Sequence, residues 1–473
     1  MADRDKTAVL LIHGIGEQRP METLWSFMDA AWVEDEDIID PEMSAIYSKP
    51  GEIETNFELR RVTTRGDKHT GRRYDFYEYY WAHMMLGNTA RDVWSWLRSL
   101  FFRSKSDVPP EYHCYWYAGQ GITLLLIAGY IGWLWAADAL GPLTAAASLL
   151  IPPIAGLVLG RLVPVVGDAA RYLQPDPRNV EARQRIRAEG VALLWKLHAT
   201  GDYDRIIVVG HSLGAMVGYD IMTHAWSQID PDVLEEQHTR SEDLRGALDA
   251  LEAAGAALFE DEKVGDRLFP LEDEHQRAAN RTTYRNAQRN YRRALAAQDK
   301  PVWLVSDFVT LGAPLGKADI LLARTEPLFH KRKMRREFPT CPPKYEYWAK
   351  NPVVKQFSYP RAAPIRVPHH AAVYGPTVWS NIYFPTRRLV LGDPIAGAAA
   401  PHFGPGVRDT ELPYRAWTFQ HLDYWKLSSH YDPRSKDEAR SSDAQDEPFE
   451  DPIAQAAVAA LRKALNLRDL DGL

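Results

Sequence analysis

The sequence predicts an α/β fold, a mainly parallel sheet with helices on both faces. Two features predict it. Strand-like and helix-like stretches alternate from the start of the chain. The strand-like runs, such as Ala8-Val9-Leu10-Leu11-Ile12 and Ile206-Ile207-Val208-Val209, are continuously apolar, as expected of strands buried on both faces.

In order, Thr7–Ile12 reads as a strand and Glu22–Val33 as a helix with Leu24, Trp25, Phe27 and Met28 among its apolar positions. Ile53–Thr63 and Arg73–Trp81, rich in aromatic and β-branched residues, read as strands. Asn88–Phe102 has the pattern of an amphipathic helix. Arg178–His198 is helical by pattern, Asp204–Val209 a strand, and Leu213–Trp226 a helix. Val302–Leu311 and Val378–Phe384 are further strands, and Tyr414–Phe419 is strand-like. Ile453–Leu465 reads as a final helix.

Composition narrows the function. The chain has 473 residues, 45% hydrophobic and 25% charged, the balance of a folded protein. A net charge of -7 argues against nucleic-acid binding by bulk charge. Two cysteines, Cys114 and Cys341, exclude a disulfide framework and fit a reducing compartment. Neither has a motif around it, so both are expected to be buried or interfacial. The first apolar run is too short for a secretion signal, and none is expected.

The main chemical signal is Gly210-His211-Ser212-Leu213-Gly214, which follows an apolar strand and precedes a helix. A G-x-S-x-G turn lifts a serine hydroxyl clear of the sheet. Glycines two residues before and after remove clashes with the neighbouring strand and helix. The helix N-terminus then favours negative charge developing nearby.

With these residues the chain resembles the α/β-hydrolase family, in particular its lipase-like and esterase-like members with a Gly-His-Ser-Leu-Gly elbow. Leu11-Ile12-His13-Gly14-Ile15-Gly16 resembles the oxyanion loop. Phe308-Val309-Thr310-Leu311-Gly312-Ala313-Pro314 resembles the strand after the elbow. Trp379–Tyr383 and His421-Leu422-Asp423-Tyr424-Trp425 resemble the regions that bring in acid and histidine. The resemblance implies a serine hydrolase with the chain order serine, acid, histidine. It implies Ser212 as nucleophile, His421 as base, Asp393 as acid, and the backbone N–H groups of Ile15 and Leu213 as the oxyanion hole. Asp393 lies beyond Thr386–Val390, farther from its strand than a tight loop would place it, and Asp409 is the alternative acid. Asp423 is too close to His421 to orient it, and His430 lies in a polar tail. His13 is expected to tie down its loop. His369-His370 lacks a partner at ligand spacing, so neither a metal nor any other cofactor is expected.

Three stretches depart from the alternation: an uncharged one from Ala118 to about Gly160, a charged one from Gln228 to Lys300, and Leu328–Pro368, which is rich in Pro, Lys and Arg and reads as a long excursion. Ala118–Ala137 and, after Asp138, Ala139–Gly160 contain no charged residue. Each is long enough to cross a hydrocarbon layer, at about 1.5 Å per residue. Tyr115-Trp116-Tyr117, Trp133 and Trp135 sit near the ends of the first run, as aromatic belts do. Arginines flank the pair and none lies in the turn. The expectation is a transmembrane helical hairpin with both flanks, and the catalytic domain, in the cytoplasm. The second departure, 227–300, is charged and helical, a candidate cap.

The expected organisation is thus a hydrolase core in three pieces, 1–110, 171–226 and 301–434. Around it lie the hairpin (111–170), the helical insertion (227–300), and a polar linker with a C-terminal helix (435–473). The expected activity is hydrolysis of carboxylic esters, with lipid or small ester substrates and the bilayer as partners. The alternatives are a tethered esterase or thioesterase for soluble substrates and a non-catalytic membrane scaffold.

Overall fold

The computed structural model describes residues 6–15, 19–39, 46–51, 59–85, 96, 98, 102–121, 123–125, 128–129, 131–132, 168–174, 176–265, 272–345, 355–386, 391–415, 418–426 and 451–472. Its strands are β1 (Lys6–Ile12), β2 (Ile46–Pro50), β3 (Arg60–Thr64), β4 (Arg73–Tyr79), β5 (Tyr203–His211), β6 (Val305–Leu311), β7 (Ser358–Pro360), β8 (Arg366–Pro368), β9 (Val378–Tyr383) and β10 (Arg408–Glu411). β7 and β8 form a small separate hairpin. The others make an eight-stranded sheet in the order β10-β9-β6-β5-β1-β4-β3-β2. It is parallel from β10 to β4, and only β3 runs against its neighbours.

The sheet separates two cores because side chains alternate along a strand. Ala8, Leu10 and Ile12 of β1, with Ile206 and Val208 of β5, face one core. Val9 and Leu11, with Ile207 and Val209, face the other. The first core is covered by α2 (Val180–Ala199) and α3 (Leu213–Ser227), through Leu194, Leu197, Ile221 and Met222. The second is covered by α1 (Glu22–Met28), which continues as a π-helical turn, and by the C-terminal helix. β1 lies between β4 and β5, so successive connections leave it in opposite directions. In open parallel sheets the crevice beyond the carboxyl ends of such strands is where ligands bind.

The charged insertion forms α4 (Pro231–Arg240), α5 (Glu242–Gly265) and α6 (Glu272–Ala296). Its apolar stripe, with Leu244, Leu248, Leu251, Tyr284 and Tyr291, is buried in the first core. α6 meets the sheet at the strand starts. Gln288 Nε2 donates to the carbonyls of Tyr374 and Thr377, just before β9, at 2.8 and 2.9 Å. The expected cap is therefore corrected: this insertion sits at the end of the sheet away from Ser212. A helical stripe specifies that a face is buried, not against which end.

A nine-residue helix, α7 (Glu326–Met334), follows β6, and α8 (Pro452–Leu465) is the expected final helix. Leu461 and Leu465 of α8 are fully buried in the second core. Beyond α8, the carbonyls of Asn466 and Leu467 accept from Arg205 Nη1 at 2.8 and 3.1 Å.

Other expectations need correction. Among the described residues of Tyr414–Phe419 there is no strand. The strand lies earlier, as β10, and Pro413, which has no N–H to donate, follows its end. What remains of pairing there is a single bridge between Gly392 and Phe419. Of the expected strand Ile53–Thr63, the described part is β3, which begins at Arg60, and residues 52–58 lie outside the described residues. Of the two cysteines, Cys341 is buried and Cys114 is exposed. Residues 113–121 are helical, and so are the described positions from 123 to 132. Most of the second uncharged run, and most of Asn88–Phe102, lies outside the described residues. Among the described residues no helix is long and apolar enough to cross a membrane.

Candidate active site

Ser212 stands between β5 and α3 with φ 53° and ψ -128°, a backbone conformation that L-residues rarely adopt. Close packing around it explains the flanking glycines. A Cβ on Gly210 would lie 2.5 Å from Ala215 Cα, and one on Gly214 would lie 2.2 Å from the carbonyl oxygen of Ile12. Neither has room for a side chain, so the spacing read from the sequence is enforced by backbone contact.

The structure brings the three widely separated residues together. Ser212 Oγ lies 2.7 Å from His421 Nε2, and His421 Nδ1 lies 2.8 Å from Asp393 Oδ2. With the proton on Nδ1 donated to the carboxylate, Nε2 is left to accept from the serine hydroxyl. Asp393 is completely buried. Its Oδ2 also accepts from Tyr424 Oη at 2.7 Å, and its Oδ1 accepts from the N–H groups of Ile395 and Ala396 at 2.9 and 3.1 Å. Burial raises the Asp393 pKa, but the His421 and Tyr424 hydrogen bonds outweigh it and leave the carboxyl below its ordinary value.

The acid reaches the base because their two loops are laced together. Gly392 N donates to Thr418 O at 2.9 Å, and Gln420 N donates to Gly392 O at 2.8 Å. These bonds bridge the distance from β9 that separates Asp393 from a simple strand-end position. Asp409, the alternative acid, is engaged elsewhere. Its oxygens accept from the N–H groups of Ala399 and Ala400 at 2.9 and 2.8 Å, and from Asn381 Nδ2 at 2.7 Å. Asp423 pairs with Lys426 at 2.9 Å. His430 lies outside the described residues.

His13 ties down the loop after β1. Its Nδ1 donates to Gly14 O at 2.8 Å and its Nε2 accepts from Trp81 N at 3.1 Å. Burial lowers its pKa to about 4, so the ring is neutral at neutral pH. That loop abuts the serine: a Cβ on Gly14 would lie 2.9 Å from Ser212 Cβ. Ile15 and Leu213 line the same cavity as Ser212, which puts both candidate oxyanion donors' residues beside it.

Sequence reasoning passed over two residues. His211, inside the motif, donates from Nε2 to the His421 carbonyl at 3.0 Å. Burial, then the nearby His421, lowers its pKa to about 3, so it holds the base loop as a neutral group. Tyr424 lies three residues after the base, in the stretch already singled out. Both act through hydrogen bonds between distant segments, for which a local pattern carries no signal.

The cavity above Ser212 measures about 430 Å³. Its wall is mostly apolar, with Val108, Leu173, Leu213, Pro314 and Ile320 among its residues. Tyr112, Tyr115 and Trp116, at the start of the uncharged stretch, form one side. Among the described residues no cluster of side chains could hold a metal ion. No protein-family model, curated protein or solved structure matches the chain.

Proposed function

We propose that the protein is a serine hydrolase of the α/β-hydrolase type that cleaves carboxylic esters, lipid esters above all. The observation that carries this reading is the continuous hydrogen-bonded chain Ser212–His421–Asp393 at the mouth of an apolar cavity. Ser212 Oγ attacks the ester carbonyl as His421 Nε2 takes its proton, and Asp393 stabilises the imidazolium. N–H groups of Ile15 and Leu213 receive the oxyanion. The tetrahedral intermediate collapses, and the alcohol leaves with the proton from His421. Water then gives a proton to His421 and attacks the acyl-enzyme. The acid departs, and Ser212 regains its proton.

The reading includes a membrane anchor at 118–160 with the catalytic domain in the cytoplasm. Support comes from the uncharged runs and from Leu124, Leu125 and Ile131, which are 66, 74 and 51% exposed on the first of them. The helix that carries them begins beside the cavity wall, which would put the site close to lipid.

A fluorophosphonate probe tests the chemistry. Full-length protein is expected to label at Ser212, and Ser212→Ala is expected to keep its fold and lose both labelling and ester hydrolysis. A folded Ser212→Ala protein with wild-type turnover would reject the mechanism, and an unreactive wild type would favour the scaffold. For the anchor, the protein is expected to stay with membranes in alkaline carbonate, and its release would reject the hairpin.

A further inference from the structure

We propose that Lys317 forms an anion subsite in the cavity beside Ser212, so that the ester cleaved there carries a carboxylate or phosphate group near its acyl chain. The proposal rests on the hydrolase reading above and names its substrate class.

Lys317 ends the short turn Pro314–Lys317 that follows β6, and it lines the same cavity as Ser212, Ile320 and Pro394. Lys317 is part-buried, and an ammonium held against a largely apolar wall is costly to desolvate even partly unless it is paired. Its Nζ donates to the Ala396 carbonyl at 3.0 Å and lies 5.8 Å from the centre of the Tyr112 ring, itself part of the wall. One of three donors is thereby used. Among the described residues Lys317 makes no ion pair. Asp393, a carboxylate whose charge acts on Lys317, has Oδ1 engaged by two amides and Oδ2 by His421 and Tyr424. Asp319 lies beside His402, at 4.0 Å. Burial lowers the lysine's pKa, with Asp393 and Asp319 acting in the opposite direction, so a bound anion would restore what burial removes.

The arrangement is amphiphilic: an apolar volume for a chain and one ammonium with donors to spare. Holding the Ala396 carbonyl needs only a neutral donor. The charge is the part that this bond leaves unexplained, and an oxyacid group supplies its counterpart.

Calorimetric titration of full-length Ser212→Ala protein with hexanoate, hexyl phosphate and 1-hexanol tests the subsite without turnover. At least one anion is expected to bind roughly 10-fold or more tighter than the alcohol, the scale of a charged hydrogen bond. The tighter anion identifies the group. Adding Lys317→Gln, which keeps a donor for Ala396, is expected to erase the preference, while adding Lys317→Arg keeps it. Equal binding of alcohol and anions, no binding of either anion, or a preference that survives Lys317→Gln would each overturn the proposal. Probe labelling of wild type at Ser212 is read in parallel. Labelling without anion preference keeps the hydrolase and loses the subsite, and the converse keeps the subsite and loses the hydrolase.

Discussion

At the start of β5, Arg205 is buried in a mesh of charge, whereas just past its end Ser212 sits among groups that are mostly neutral. Arg205 Nη2 meets Asp307 at 2.6 Å, and its other donors reach Ser306 and the carbonyls after α8. Asp469 adds Arg292 and Arg293 at 2.6 and 3.2 Å, and Arg205, Arg292 and Arg293 together hold its pKa at about 2 despite burial. At the other end one carboxylate, Asp393, has its oxygens covered, two neutral histidines brace loops, and Ser212 keeps a strained backbone. Both ends satisfy buried polar groups. The difference is that the charged end fixes chain segments to one another, while the neutral end leaves one acceptor, His421 Nε2, aimed at a hydroxyl.

This contrast can be broken from either end. If Asp393 stabilises the imidazolium as proposed, Asp393→Asn is expected to lower kcat for ester hydrolysis by about 10⁴-fold, the size of the effect in the template triad. Asp409→Asn, a change in a turn-capping carboxylate, is expected to lower kcat far less. Steady-state kinetics of both folded variants decide between them, and the reverse ranking would move the acid to Asp409.

Arg205→Met strands Asp307 in the core. Breaking a buried pair in this way costs about 3–5 kcal/mol. Urea unfolding should show that loss, while the protein still folded at low denaturant keeps its fluorophosphonate labelling. Loss of labelling with unchanged stability would mean that the two ends are not separate in function.

The smallest effect is expected from Tyr424→Phe. Asp393 keeps His421 and two amides, so kcat is expected to fall by about 10-fold, with KM little changed, as befits the loss of about 1.5 kcal/mol from one hydrogen bond to a charged group. An unaltered kcat would reduce Tyr424 to a structural role at Phe384, whose N–H donates to its hydroxyl at 3.2 Å and whose ring lies 5.1 Å away.

Much of this was legible in the sequence, for definite reasons. β1 and the Ile206–Val209 stretch of β5 are buried on both faces and so read as continuous apolar runs, whereas β6 and β9, equally buried, carry Ser306, Asp307, Thr310, Ser380 and Asn381 and read as strands through their aromatic and β-branched residues. The elbow is legible because Gly210 and Gly214 are required by contacts within a few residues of Ser212 and with β1. Asp393 and His421 were found through resemblance and chain order. Their loop geometry was not, because Gly392 pairs with Thr418 and Gln420 across a separation no periodicity spans. The location of α5 and α6 was hidden for a related reason: Leu244, Leu248 and Leu251 announce burial without an address.

The lacing of Gly392 to the segment before His421 has a further consequence. Acid and base are not two parts set independently against the serine, but one mechanical piece. A fluctuation that opens either backbone bond slackens both loops at once, so a state in which the imidazole still meets Ser212 but has lost its carboxylate is disfavoured. Local opening there is expected to be cooperative, because both loops hang on the same pair of backbone bonds.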